Sequence, residues 1–308
     1  MKHNLKITFI LLAMFLITQF IGIYVVNNYS SVRVIDGKLQ NVSAPSLPYG
    51  METPEIKKES DYYSLFSAII IAFVIAISLL FLLSKFNWSF VLKLWFFIVI
   101  IIALGISFNS FFPAFKYSSL FALLIALPLA FEKIYRRNFL VHNFTELLIY
   151  PGIASVFVPI LNLWTIILLL ILISIYDIWA VWHSGIMQKM AKYQINKLNV
   201  FSGFFVPYIS KKVRMSLKNM KKSELKKKKV RANVAILGGG DVIFPIIAAG
   251  VALKTPALGF LGALFVIAGA TLGLTYLFFF AEKKKFYPAM PYISTGIFLG
   301  MILAWLIL

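Results

Sequence analysis

Nine apolar runs, each close to the length that crosses a bilayer, restrict this chain more than any other feature of its sequence. A transmembrane helix takes about 20 apolar residues. Between charged or Pro/Gly-rich breaks the runs fall at 5–26, 62–84, 89–112, 116–132, 141–159, 162–183, 232–253, 257–281 and 286–308. They are continuously apolar rather than alternating, which argues against a β-barrel. The charged fraction is 13%, about half that of a soluble protein. The expected fold is therefore all-α, a polytopic membrane protein with nine transmembrane helices. Lys2 and Lys6 ahead of the first run resemble the start of a signal peptide, but no small-x-small cleavage site follows, and a retained helix is expected. The fourth and fifth spans are the weakest, the fourth being short and the fifth holding Glu146, Pro151 and Gly152.

Lys and Arg mark the cytoplasmic side of membrane proteins. With the N-terminus inside, 24 of the 30 basic residues fall on inner segments and 6 on outer ones. The split supports nine spans, a cytoplasmic N-terminus and an outer C-terminus. It also gives the net charge of +19 a role that does not involve nucleic acid. The chain then divides into an N-terminal membrane part, 1–198, a basic cytoplasmic loop, 199–231, and a C-terminal membrane part, 232–308. Residues 199–210 are apolar but too short to span, and are expected at the interface or over the site. Residues 211–231, with Lys226 to Lys229 in a row, read as a solvated tether that favours anionic lipid. The outer loop 27–61, with Pro45, Pro48 and Pro54, is expected to be irregular.

Absences narrow the chemistry. The chain has no cysteine, and His3, His142 and His183 show no ligand spacing. Thiolate chemistry and a His-Glu-x-x-His zinc site are excluded. No phosphate-binding Gly-x-x-x-x-Gly-Lys loop is present. No metal and no cofactor are expected.

Two carboxylates, Asp177 and Asp241, read as lying deep inside apolar runs, with the other nine acids in loops or near span ends. A carboxylate in lipid is costly and by default functional. Asp177 lies about six residues before the inner end of its span and Asp241 about nine after the inner start of the next, which places them about 9 and 14 Å deep. The spans are consecutive and antiparallel, so the carboxylates can meet. Gly238, at i−3 from Asp241, would let another backbone approach. Pro245 at i+4 loosens the same turn. Tyr176 can bond a carboxylate or a substrate carbonyl, and can equally satisfy a neighbouring helix. Two carboxylates at one site share a proton. Such a pair can hydrolyse an amide, or bind protons or cations in a carboxylate-based transporter or leak channel. Spacing leaves both readings open.

Tyr176-Asp177, Gly238-x-Gly240-Asp241 and Pro288-Ala289-Met290-Pro291, in that order and in spans six, seven and nine, resemble the presenilin and signal peptide peptidase family of intramembrane aspartyl proteases. The family signature is Tyr-Asp, Gly-x-Gly-Asp and Pro-Ala-Leu, so Met290 stands where the family has leucine. The first five spans match in number only. The resemblance implies that Asp177 and Asp241 are catalytic. It implies that Gly238 and Gly240 bring the seventh helix close to the sixth, and that Pro288, Ala289 and Met290 shape the substrate cleft. It further implies transmembrane substrates, action without obligatory partner subunits, and a compact archaeal-type protein of the plasma membrane; homo-oligomers remain allowed. Within the family an inner N-terminus goes with the presenilin-like members, which implies single-span substrates whose N-terminus is outside. A prepilin-type peptidase shares Gly-x-Gly-Asp but has fewer spans and lacks the third motif.

Overall fold

The computed structural model describes residues 5–30, 32–35, 38–41, 46–54, 56–86, 88–112, 115–136, 138–184, 201–208, 233–282 and 287–308. The Lys-rich stretch 211–231, expected to form a tether, therefore lies outside the described residues. Nine α-helices are present among the described residues: α1 (Leu5–Tyr29), α2 (Glu59–Lys85), α3 (Ser89–Phe111), α4 (Ser118–Phe131), α5 (Phe139–Phe157), α6 (Leu163–Ile178), α7 (Gly239–Lys254), α8 (Gly259–Phe280) and α9 (Met290–Ile307). Eight are long and apolar enough to cross a membrane, α4 and α6 with the help of π-type turns that carry them on to Arg136 and His183. The chain is an integral membrane protein by these helices.

The ninth, α7, is shorter than expected. Its 16 residues fall below the length of an unaided span. Residues 233–238, read from sequence as the first turns of this helix, are instead a strand, β4 (Asn233–Gly238). It pairs antiparallel with β3 (Gly203–Tyr208) in the register Gly203↔Gly238 through Tyr208↔Asn233. The apolar stretch expected near the site is thus a strand that reaches it. In the outer loop a second hairpin, β1 (Val32–Ile35) with β2 (Lys38–Asn41), replaces part of the irregular chain expected there.

Packing explains which spans carry the site. α1, α5 and α7 pack on one another at the centre. α7 also packs on α8, and α9 on α6 and α8. α3, α4 and α5 share a second core, while no part of the apolar window of α2 is buried within the protein. The tightest crossing is α8 against α9. A Cβ added at Gly269 or Gly296 would collide with the partner's main chain, and Gly273 and Gly300 are equally close to the facing backbone. Both helices carry Gly-x-x-x-Gly, which lets main chains touch where lipid supplies no hydrophobic drive. α6 begins at a capping box, with Asn162 Oδ1 accepting from Thr165 N at 2.9 Å and Thr165 Oγ1 accepting from Asn162 N at 2.8 Å.

Candidate active site

Asp177 lies in the last turn of α6 and is 6% exposed. Its Oδ2 accepts a hydrogen bond from the Met290 N–H at 3.0 Å. Met290 is the first residue of α9, whose leading amides have no partner within the helix. The segment Pro288-Ala289-Met290-Pro291 therefore reaches Asp177 through its backbone. Pro288 and Pro291 carry no amide, and the two amides between them, of Met290 and Ala289, are the ones directed at the aspartate. One turn back, Ser174 Oγ donates to Ser294 Oγ at 3.0 Å, a second clasp between α6 and α9. Tyr176 points elsewhere: it is 40% exposed, with its ring 6.3 Å from that of Trp179.

Asp241 lies in the first turn of α7, not nine residues into a helix. Gly238 is the N-cap in an extended conformation. A carboxylate in this turn is favoured by the free amides and the positive end of the helix dipole. A Cβ on Gly238 would fall 3.1 Å from Asp241 Oδ2, so the missing side chain leaves room for the carboxylate. Gly240 would meet only Phe244 of its own helix, at 3.7 Å. No atom of α6 lies within 4 Å of a Cβ built at either glycine. The crowded glycine is the middle one. A Cβ on Gly239 would stand 2.7 Å from the Tyr150 hydroxyl and 2.8 Å from Ser202 Oγ. Further along, Gln19 Nε2 of α1 donates to the Val242 carbonyl at 3.1 Å. α6 and α7 pack against each other and both contact α9, so the three segments singled out in the sequence converge.

Sequence reasoning missed a third buried carboxylate. Glu146 lies two turns into α5 and is 1% exposed, which corrects its expected place near a span end. Lys133 Nζ donates to its Oε1 at 2.5 Å and stands 3.1 Å from His142 Nδ1. A lysine can only donate, so His142 Nδ1 accepts, and the ring's Nε2–H is left to donate to the Gly203 carbonyl at 2.9 Å. Beside it Asn143 bonds the backbone of Phe205 twice, Nδ2 donating to the carbonyl at 2.9 Å and Oδ1 accepting from the amide at 3.1 Å. One turn on, the Tyr150 hydroxyl lies near Glu146, Ser202 and Asp241, without the alignment of a full hydrogen bond. Only Glu146 inside an apolar run hinted at this network; its partners come from other segments.

Residues 39–308 match the family model described as "Signal-peptide peptidase, presenilin aspartyl protease". Two solved structures of a presenilin family intramembrane aspartate protease share the fold. One, in the C222 space group, has a TM-score of 0.59 at 17% identity over 98% of this chain and 99% of its own. The other, in the P2 space group, has a TM-score of 0.58 at 17% identity over 97% of each. No curated protein matches the chain.

Proposed function

The chain belongs to the signal-peptide peptidase and presenilin family of aspartyl proteases, and from that premise we propose that Asp177 and Asp241 are its catalytic pair. The protein is an intramembrane aspartic endopeptidase acting on membrane-protein substrates. This decides between the two readings that paired carboxylates alone left open.

The observation that carries the assignment is the bond from the Met290 amide to Asp177. It ties the first and third motifs together at a buried carboxylate, while the second motif opens the helix packed against both. In the proposed reaction one aspartate is ionised and takes a proton from water. The water oxygen attacks the amide carbon, and the protonated aspartate gives its proton to the carbonyl oxygen. Collapse of the tetrahedral intermediate breaks the C–N bond, and the amine leaves with a proton from the pair. Pro288, Ala289 and Met290 supply backbone that holds Asp177, and Tyr176 flanks it. Gly238 leaves space beside the Asp241 carboxylate, and Gly240 precedes it in the first turn of α7.

A substrate helix must unwind before its peptide bond is accessible. Asn143 occupies the amide and carbonyl of Phe205, so the Phe205–Ile236 pair is of the non-hydrogen-bonded kind. The polar groups of Ile236 and Val234 then point to the far edge of β4, whose side chains at these positions are exposed. An extended substrate adding to that edge would lead toward Asp241. We further read the N-terminus as cytoplasmic, the C-terminus as outside, the substrates as single-span proteins with an outer N-terminus, and obligatory partner subunits as unnecessary. A prokaryotic, archaeal-type plasma membrane suits this reading.

The test is cleavage of a single-span model substrate by purified protein, comparing wild type with Asp177→Ala and Asp241→Ala. Loss of cleavage in both variants, with wild-type activity blocked by a transition-state aspartyl protease inhibitor, supports the pair. Cleavage that persists in either variant removes it.

A further inference from the structure

β3 has two edges. One pairs with β4, and the other faces α5, where no third strand exists among the described residues. Along that second edge the alternating ladder turns outward the polar groups of Gly203, Phe205 and Pro207. Proline has no amide, and Pro207 is exposed. Three of the inner groups are taken by α5 side chains: His142 Nε2–H bonds the Gly203 carbonyl, and the Asn143 carboxamide bonds both groups of Phe205, as a neighbouring strand would. An orphaned backbone group away from water costs several kcal/mol, so a helix can hold a strand edge only by supplying such donors and acceptors. Lys133 in turn holds the His142 ring at Nδ1, and its partner Glu146 places Oε1 3.5 Å from Nε2.

This arrangement ends at the active site. Gly203 opens β3 with φ +146, a conformation for which a side chain is strained, and a Cβ there would strike the Leu237 carbonyl. The register Gly203↔Gly238 and the Gly239 N–H bond to the Ser202 carbonyl at 3.3 Å then set where α7 begins, and so where Asp241 stands two residues later. We propose that Asn143, seated beside the His142–Glu146–Lys133 cluster, is a positioning residue for Asp241, acting as a surrogate third strand that sets the register of the β3–β4 hairpin. The inference rests on Asp241 being one of the catalytic pair.

Asn143→Leu keeps the branching at Cγ and removes both bonds. In the full chain, with a single-span model substrate, kcat falls about tenfold to a hundredfold, the loss expected for an ångström-scale misplacement, while KM moves less than about threefold. Mass spectrometry of the products finds the cut spread over neighbouring peptide bonds. Asn109→Leu, which deletes an interhelical amide bond to the Tyr29 hydroxyl instead, keeps the wild-type cut position.

Asn143→Asp covers the case in which the leucine variant does not fold. A neutral carboxylic acid donates and accepts like the amide, whereas a carboxylate only accepts. The charges facing this position are Lys133 from the turn after α4, and His142 and Glu146 from α5. Activity relative to wild type therefore falls as pH rises and the introduced carboxyl loses its proton. A leucine variant with wild-type kcat and a single cut position overturns the proposal, as does a ratio for the aspartate variant that stays flat with pH. If Asp241→Ala cleaves like wild type, the catalytic assignment fails first; if it is inactive while Asn143→Leu is fully active, only the present inference fails.

Discussion

Charge burial governs the residues that matter most here. Glu146 and Lys133 are both almost fully buried and hydrogen-bonded to each other at 2.5 Å. Removing one partner strands the other, so Glu146→Ala should destabilise the protein by about 3 kcal/mol or more, whereas the double change Lys133→Met with Glu146→Leu should come close to wild type. Thermal unfolding in detergent checks both; equal losses in the single and double variants would contradict the argument. Pro288 is buried just ahead of the amide that holds Asp177. Pro288→Ala restores a backbone donor and frees φ, and is expected to lower turnover with expression intact. Unchanged turnover in the cleavage assay would leave the rigid Met290 donor without a role.

Among the elements, α8 and α9 cross at a glycine seam while α9 also supplies the amide that holds Asp177. A side chain at Gly296 would push the α9 main chain away from Gly269. Gly296→Val is therefore expected to cost about 1–3 kcal/mol, as overpacking does, and to reduce kcat by loosening the Met290–Asp177 bond. A variant less stable but with full activity per folded molecule would separate the seam from the site. The Gly-x-x-x-Gly spacing in both helices was open to reading from sequence, since period alone places the glycines on one face. The strand β4 was not. Asn233-Val-Ala-Ile-Leu-Gly238 is a short apolar run that suits a strand or the first turns of a buried helix equally well. What makes it a strand is β3, about thirty residues earlier in the chain, and β3 in turn depends on Asn143 and His142 of α5.

At the scale of the whole molecule, 24 of 30 basic residues on one side set the expected orientation and, with it, the substrate. Reconstituted in liposomes, the enzyme should cleave single-span substrates whose N-terminus lies opposite its own, and leave the reverse orientation intact; the opposite selectivity would overturn the proposed topology. Sequence alone determined that the chain is helical and membrane-spanning and singled out Asp177 and Asp241 as candidates, because span length, apolarity and the cost of a charge in lipid are local properties. Tertiary structure alone decided that α7 starts at Gly239, that Asp241 sits in its first turn, that Gly239 rather than its neighbours is crowded, and that Glu146 is buried. Each of these depends on which distant segment satisfies a backbone edge or a charge, and such partners are fixed only when the helices pack.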